Sequence, residues 1–153
     1  MANKQLKLEN QICFPLYAAS RLVIQEYKPY LVKLGITYPQ YLVLLVLWET
    51  DSISVSEITQ RLILNTNTVT PILKRMEAQG IITRQRSEND ERKVIVSLTT
   101  RGQALQIEAA SIPEKLLEGL TSRKMKVEDL TTLRSLLYGI IDHLSPRDRK
   151  SVV

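Results

Sequence analysis

The sequence predicts a mainly α-helical domain with one small β-hairpin, arranged as a winged helix-turn-helix with dimerisation helices at its N- and C-terminal ends. Three observations predict this fold. Apolar residues recur at helical spacing, a β-branched run follows a polar turn, and basic side chains concentrate near the middle of the chain. With 153 residues, the chain is expected to form one domain, since domains commonly contain about 100–200 residues.

The composition excludes several classes of protein. The N-terminal segment mixes Lys4, Lys7 and Glu9 with apolar residues and has no unbroken apolar run, so we expect no signal peptide. The most apolar run, Tyr41 to Trp48, is far shorter than the roughly 20 residues that a membrane span needs, so we expect a cytoplasmic protein without a membrane partner. One cysteine cannot form an internal disulfide, and one cysteine with one histidine cannot form a metal centre that needs several such ligands, so we expect no metal or cofactor.

The positive charge of the chain is concentrated in one stretch. Residues 61–101 hold eight cations and four anions, a local charge of +4 in a chain of net charge +5. Such clustering is typical of proteins that bind phosphate backbones, although a solvated surface produces the same count.

The first two helices are marked by prolines and a cap. The first is expected from Pro15 to about Lys33, and because proline fits only the first turn of a helix, Cys13 should lie at or just before the helix N-terminus. Thr37 can cap the second helix, which has a proline in its first turn and Tyr41 to Glu49 as its buried body.

Two further helices predict a helix-turn-helix. Val55 and Leu62 fall at helical spacing, with Ser54 or Ser56 available as the cap. The segment 65–80 follows, with apolar positions at i, i+3, i+4 and i+7 and Gly80 as its terminator. Its outward face is rich in short hydrogen-bonding groups at the end that meets base edges in such motifs, and it comprises Thr66, Asn67, Thr68, Thr70, Lys74 and Arg75. An ordinary solvated helix face with cap residues would explain Thr66 and Asn67 equally well.

A basic hairpin comes directly after this recognition helix. Strands at 81–86 and 93–99 enclose a polar tip at 87–92, which predicts a wing. Arg92 at the tip is placed to enter a minor groove, and Asp90 is expected to hold it in position. We expect further DNA contacts from Arg84, Arg86 and Lys93.

The remaining residues predict the dimerisation part. A helix from Thr100 to about Leu120 should be interrupted near Pro113, and another carries an apolar stripe from Val127 to Leu144. A stripe of this length needs a partner, which is either the first helix or another subunit. We expect the winged helix-turn-helix at about 36–99 and the dimerisation helices at about 7–35 and 100–145.

These motifs resemble a known family. The run Asn67 to Glu77, followed by Gly80 to Arg84, Asp90-Glu-Arg92 and Ser97-Leu-Thr99, resembles the MarR family of winged-helix repressors. The N-terminal run Leu8 to Arg21, with Tyr27-Lys-Pro29 and Ile36 to Tyr41, is similar to the organic-hydroperoxide-sensing OhrR-type branch. The resemblance covers nearly the whole chain.

The resemblance implies a role for the cysteine. Cys13 would be the thiol that reacts with peroxide, held as a thiolate by Tyr27 and Tyr38 of the partner subunit, with Tyr17 nearby. Two-cysteine members of the branch carry a resolving cysteine, which this chain lacks, so a small cellular thiol would form a mixed disulfide instead. The alternative interpretation is that Cys13 is a small buried apolar residue.

We therefore predict a homodimeric repressor that binds a pseudo-palindromic double-stranded DNA operator and is released when organic hydroperoxide oxidises Cys13. One alternative is a MarR-type repressor released by a small aromatic ligand in the dimer cleft. The other is a thiol peroxidase, which is disfavoured because no second cysteine is present to complete turnover. We expect no catalytic residues and no enzymatic activity.

Overall fold

The computed structural model describes residues 3–145, which form α-helices and one antiparallel sheet, and the chain divides after Ile112 into two compact units. The helices of the described part are α1 (Cys13–Leu34), α2 (Tyr38–Glu49), α3 (Val55–Leu62), α4 (Thr66–Ala78), α5 (Thr100–Ala109), α6 (Ile112–Leu120) and α7 (Val127–Leu144). The strands are β1 (Ile53–Ser54), β2 (Ile82–Arg86) and β3 (Val94–Leu98), and single 3-10 turns lie at Lys4–Leu6 and Leu8–Asn10. This mainly helical architecture with a small sheet confirms the predicted fold class.

Helix α1 begins two residues before its predicted start. Cys13 is its first residue, which confirms that the thiol lies at the helix N-terminus, and Pro15 is in the first turn. The helix continues through Pro29 and ends at Gly35, which adopts the left-handed conformation with φ of 69°.

The predicted cap of α2 is confirmed. The Thr37 hydroxyl accepts from the Gln40 N–H, and the Gln40 side chain accepts from the Thr37 N–H at 3.0 Å, which completes a capping box. Half of the helix is buried, and its core residues are Tyr41, Val43, Leu44, Val46 and Leu47. Helix α2 is therefore the central element of the core.

The helix-turn-helix forms from α3 and α4 as predicted. Of the two candidate caps of α3, Ser54 is the one that is used, and its hydroxyl accepts from the Glu57 N–H at 3.1 Å. Helix α4 turns Val69, Leu73 and Met76 inward, and all three side chains are fully buried.

Gly80 terminates α4 through its left-handed backbone. Its φ is 71°, its N–H donates to the Glu77 carbonyl at 2.9 Å, and the Ile81 N–H donates to the Met76 carbonyl at 3.0 Å. This pair of bonds is a Schellman motif, in which a residue with a Cβ would be strained.

The sheet has three strands in the order β1-β3-β2, whereas the sequence predicted only the hairpin of β2 and β3. The hairpin register pairs Ile82 with Leu98 and Arg86 with Val94, close to the predicted strands. The predicted hairpin is confirmed, and β1 adds a third strand that pairs Ile53 with Val96. At two residues, β1 is too short to have a sequence pattern of its own.

Helix α5 packs closely on the end of the helix-turn-helix. A Cβ on Gly102 would lie 2.3 Å from the Ile81 carbonyl oxygen, so only glycine fits there. The Gly102 carbonyl accepts from the Trp48 indole N–H at 3.0 Å, and Thr99 caps the helix.

The break between α5 and α6 confirms the predicted interruption near Pro113, which is the second residue of α6. In the second unit, α7 has the bounds of the predicted apolar stripe, and none of its residues is buried. Within residues 3–145, no single helix is long and apolar enough to cross a membrane. Helices α1 and α2 taken together reach the required length and apolar composition, but their axes are bent by 74° at the break between them.

Candidate nucleic-acid interface and thiol site

A concave surface of about 330 Å³ lies between α3, α4 and the wing, which consists of residues 82–98. Its lining combines predicted DNA-binding residues from two elements that are separate in sequence. It is formed by Ser54, Val55, Ser56, Thr66, Thr70, Leu73, Arg84, Arg92, Lys93 and Val94. The fold therefore places two threonines of the recognition helix beside three cations of the wing.

The N-terminal end of α4 is open. Thr66, Asn67 and Thr68 are exposed there, as are Lys74 and Arg75 further along, while the side chain of Thr70 is half-buried. The N-cap residue makes no side-chain cap hydrogen bond, so the first backbone N–H groups are available to an external acceptor. A helix N-terminus of this kind favours an anion such as a phosphate or an electronegative base edge.

The tip of the wing is held by Asp90. Its Oδ1 atom accepts from the Arg92 backbone N–H at 3.0 Å, and its carbonyl accepts from the Lys93 N–H at 2.9 Å. The aspartate therefore fixes the backbone under Arg92, whereas the sequence suggested only that it holds this arginine in place. The guanidinium remains exposed at the tip.

Two cations of the basic stretch are engaged in ion pairs. Arg84 pairs with Glu77 at the end of α4, and Arg61 pairs with Glu49 of α2. In addition, Arg101 donates to the Gln79 carbonyl at 2.6 Å. The number of cations in the sequence is therefore larger than the number available to contact DNA. The Arg84–Glu77 ion pair also connects the wing to the recognition helix.

We expect Arg92→Ala to weaken binding to duplex DNA by about 1–3 kcal/mol if the guanidinium reads the minor groove. Lys93→Ala is the matched comparison, since a contact to phosphate alone should mainly lower the salt slope of binding by about 1. Asp90→Ala should also weaken binding, because the Arg92 N–H loses its acceptor. Fluorescence anisotropy over a range of salt concentrations measures both quantities. Wild-type affinity for Arg92→Ala would refute the assignment of the wing.

In one copy of the chain the Cys13 side chain is exposed at the start of α1, so it is not buried within that copy. Tyr17 follows one turn later and is 63% exposed, with the Arg21 guanidinium 4.6 Å from its ring centre. Sequence reasoning missed Arg21, although its i+4 spacing from Tyr17 was a usable signal.

Two of the predicted sensing tyrosines lie together. The ring centres of Tyr27 and Tyr38 are 4.9 Å apart, and Tyr41 lies 5.7 Å from Tyr27. Burial and the neighbouring Tyr38 and Tyr41 raise the pKa of Tyr27 to about 12, and burial also raises the pKa of Tyr38. These phenols therefore keep their O–H donors at neutral pH. Tyr41 was missed, although it follows Tyr38 at helical i+3 spacing.

Cys13 is far from this cluster within one chain. Cys13 and Tyr27 are separated by 14 positions of α1, which at the α-helical rise places them about 21 Å apart along the axis. The fold brings the tyrosines together but does not bring them to the thiol of the same chain. Among residues 3–145, no group of three or more His, Cys, Asp or Glu side chains is arranged to hold a metal ion.

Comparisons with known proteins agree with this geometry. A family model of the SarA/Rot transcriptional regulators matches residues 25–108. The organic hydroperoxide resistance transcriptional regulator of Bacillus subtilis (strain 168) is 51% identical over 150 residues, covering 97% of this chain and all of the relative.

Solved structures also match. The structure of reduced AbfR bound to DNA matches with a TM-score of 0.76 and 37% sequence identity, covering 94% of this chain and 99% of that chain. AbfR of Staphylococcus epidermidis has also been solved in an overoxidised form bound to DNA and in a disulfide form. Wild-type MarR from E. coli has a TM-score of 0.67 at 25% identity over 86% of this chain and 96% of that chain. With an open helix α4 beside a basic wing, the chain belongs to the MarR-type winged-helix family of transcriptional regulators, and within that family it is similar to the organic hydroperoxide resistance regulator of Bacillus subtilis.

Proposed function

We propose that this chain acts in the cytoplasm as a homodimeric repressor that leaves its operator when an organic hydroperoxide oxidises Cys13. The observation that carries the proposal is the exposed thiol at the N-terminus of α1. It stands in a chain that matches a regulator of organic hydroperoxide resistance along that regulator's whole length.

The dimer is supported by apolar side chains that one copy leaves in water. The stripe of α7 includes Leu133 at 46% exposure and Leu136 at 64%, and α1 exposes Leu22 at 61% and Val32 at 65%. Such surface is typical of an interaction site, and a second copy of the chain would cover it. A two-fold dimer presents two recognition helices and two wings, which suits half-sites about 10 bp apart in a pseudo-palindrome.

A dimer also offers the thiol its donors. The family resemblance implies that the donors are Tyr27 of the partner subunit and Tyr38 of the partner subunit, and the chain's own Tyr27 lies too far along α1 from Cys13 to serve. Both phenols are protonated at neutral pH, so each can donate an O–H hydrogen bond to a thiolate. Tyr17 borders the thiol from its own helix.

The chemistry at Cys13 has two steps. The thiolate sulfur attacks one oxygen of the hydroperoxide and the O–O bond breaks, so the sulfur is oxidised to a sulfenic acid and the peroxide is reduced to an alkoxide, which takes a proton from water to give the alcohol. A small cellular thiol then forms a disulfide with Cys13 and releases water. That overoxidised AbfR is found on DNA supports the second step as the one that drives release, because added oxygen alone is a small perturbation.

The deciding experiment is a gel-shift titration on operator DNA with and without cumene hydroperoxide, each in the presence and absence of free cysteine. We expect peroxide to weaken DNA binding, and free cysteine added with peroxide to weaken it further. Release by a small phenolic compound, with no response to peroxide under either condition, would contradict the proposal and favour a ligand-controlled regulator.

Replacing Tyr27 with phenylalanine should slow the oxidation of Cys13 without abolishing it. The ring stays in the cluster, but the thiolate loses a hydrogen bond worth about 1.5–3 kcal/mol, so Cys13 should react more slowly. The rate of alkylation of Cys13 by iodoacetamide as a function of pH measures this change in reactivity. Tyr138→Phe, at an exposed site on α7, is the control and should leave the profile unchanged.

A further inference from the structure

A small circuit of side-chain amides connects the corner between α1 and α2 to the end of the recognition helix. Gln40 is one of the few buried polar side chains of the described residues, with 4% exposure. Its Oε1 atom accepts from the Thr37 N–H at 3.0 Å, and its Nε2 atom donates to Gln79 Oε1 at 3.0 Å. Gln79 in turn donates from Nε2 to the Gly35 carbonyl at 3.2 Å.

The polarity of this circuit allows only one arrangement of the two amides. The Thr37 N–H requires an acceptor, which places the oxygen of Gln40 there and leaves its NH₂ group to face Gln79. The oxygen of Gln79 must then face Gln40, and its NH₂ group meets the Gly35 carbonyl. Only a side chain with both a donor and an acceptor closes the circuit, so glutamate or leucine cannot replace Gln79 in it.

One end of the circuit lies next to a proposed sensing residue, and the other lies at the C-terminal end of the recognition helix. Gly35 and Thr37 form the corner between α1 and α2, and the proposed sensing residue Tyr38 directly follows Thr37. Gln79 is the C-cap of α4, where its backbone carbonyl also accepts from Arg101. Direct hydrogen bonds therefore connect the corner between α1 and α2, next to Tyr38, to the end of the recognition helix.

We propose that Gln40 and Gln79 are positioning residues that couple the redox state of Cys13 to the orientation of α4, an inference that rests on the proposed function. In the reduced dimer the buried residues of α4 seat the helix in its DNA-binding orientation, and the circuit only connects the end of the helix to the corner between α1 and α2. When modified Cys13 of one subunit displaces Tyr27 of the partner subunit and Tyr38 of the partner subunit, the corner between α1 and α2 of that partner moves, and its α4 moves with the corner. Without the circuit, α4 stays seated by its buried residues Leu73 and Met76, and the coupling is lost.

The test compares operator affinity of the reduced dimer with that of the dimer after treatment with cumene hydroperoxide and free cysteine. Gln79→Leu should bind DNA in the reduced state within about threefold of wild type, because the side chain is exposed and its loss leaves the core intact. The ratio of the operator dissociation constant of the oxidised dimer to that of the reduced dimer should fall by roughly tenfold, since two hydrogen bonds of the circuit are lost. Gln79→Glu, which keeps the acceptor for Gln40 but loses the donor to Gly35, should lower the ratio as well.

Gln103→Leu is the matched control, because Gln103 is exposed on α5 and outside the circuit. It should retain the wild-type ratio. A purely structural role of Gln79 would weaken both states equally, and an unchanged ratio in both Gln79 variants would overturn the inference while leaving the proposed function intact. If the wild-type ratio is itself unity, the proposed function fails and the inference fails with it.

Discussion

Cys13→Ser should bind operator DNA as tightly as the reduced wild-type protein and should no longer respond to organic hydroperoxide. Serine is close to cysteine in size, and the side chain is exposed at the helix N-terminus, so the replacement leaves folding and the DNA-binding surface unchanged. The serine hydroxyl does not undergo the oxidation reactions of a thiol, so neither a sulfenic acid nor a mixed disulfide can form. Gel-shift titrations with increasing cumene hydroperoxide measure the effect, which should be a complete loss of release.

The control addresses the second oxidisable sulfur that lies at the surface among residues 3–145. Met125 is 39% exposed, and its thioether could also be oxidised by peroxide. Met125→Leu should keep the wild-type response. If peroxide released Cys13→Ser as readily as wild type, the thiol would not be the sensor.

Leu136→Glu should convert the dimer into monomers and remove most of the operator affinity. The side chain is 64% exposed in one copy and lies in the stripe of α7, so a carboxylate there would be buried without a partner in the dimer. Two linked half-sites commonly strengthen binding by about 10²–10⁴-fold, and a monomer loses this gain. Sedimentation velocity at micromolar concentration gives the oligomeric state, and anisotropy with the complete operator gives the affinity.

Ser135→Glu is the matched control, since it adds the same charge one residue away on α7 and outside the stripe. It should remain dimeric and bind the operator normally. A Leu136→Glu protein that sediments as a dimer would show that the stripe is not the dimer contact, and a monomeric protein with wild-type operator affinity would contradict the two-half-site mode of binding.

Local sequence signals determined most of the elements of this protein. Thr37 and Gln40 form a capping box within four residues, Gly80 ends α4 through a motif of neighbouring bonds, and Pro113 marks the break before α6. The apolar spacing of α4 was also sufficient to identify its inward face. These features were predictable because each depends on residues a few positions apart, whose preferences operate in any fold that contains them.

The sequence also indicated which residues are candidates for the site, through their resemblance to a family motif. The cysteine and two of the clustered tyrosines were named in this way. The positions of the remaining groups depended on chain folding, since Tyr41 joins the cluster only when α2 packs against α1.

Only the tertiary structure decided the long-range pairs. Arg84 was predicted as a DNA contact, but it also pairs with Glu77 of α4, which belongs to a different element. The connection of Gln40 to Gln79 spans 39 positions, and no periodicity or cap signals it. Hydrogen bonds and ion pairs act over a few ångströms in space, so residues distant in sequence become partners only after the helices have packed around the buried face of α2.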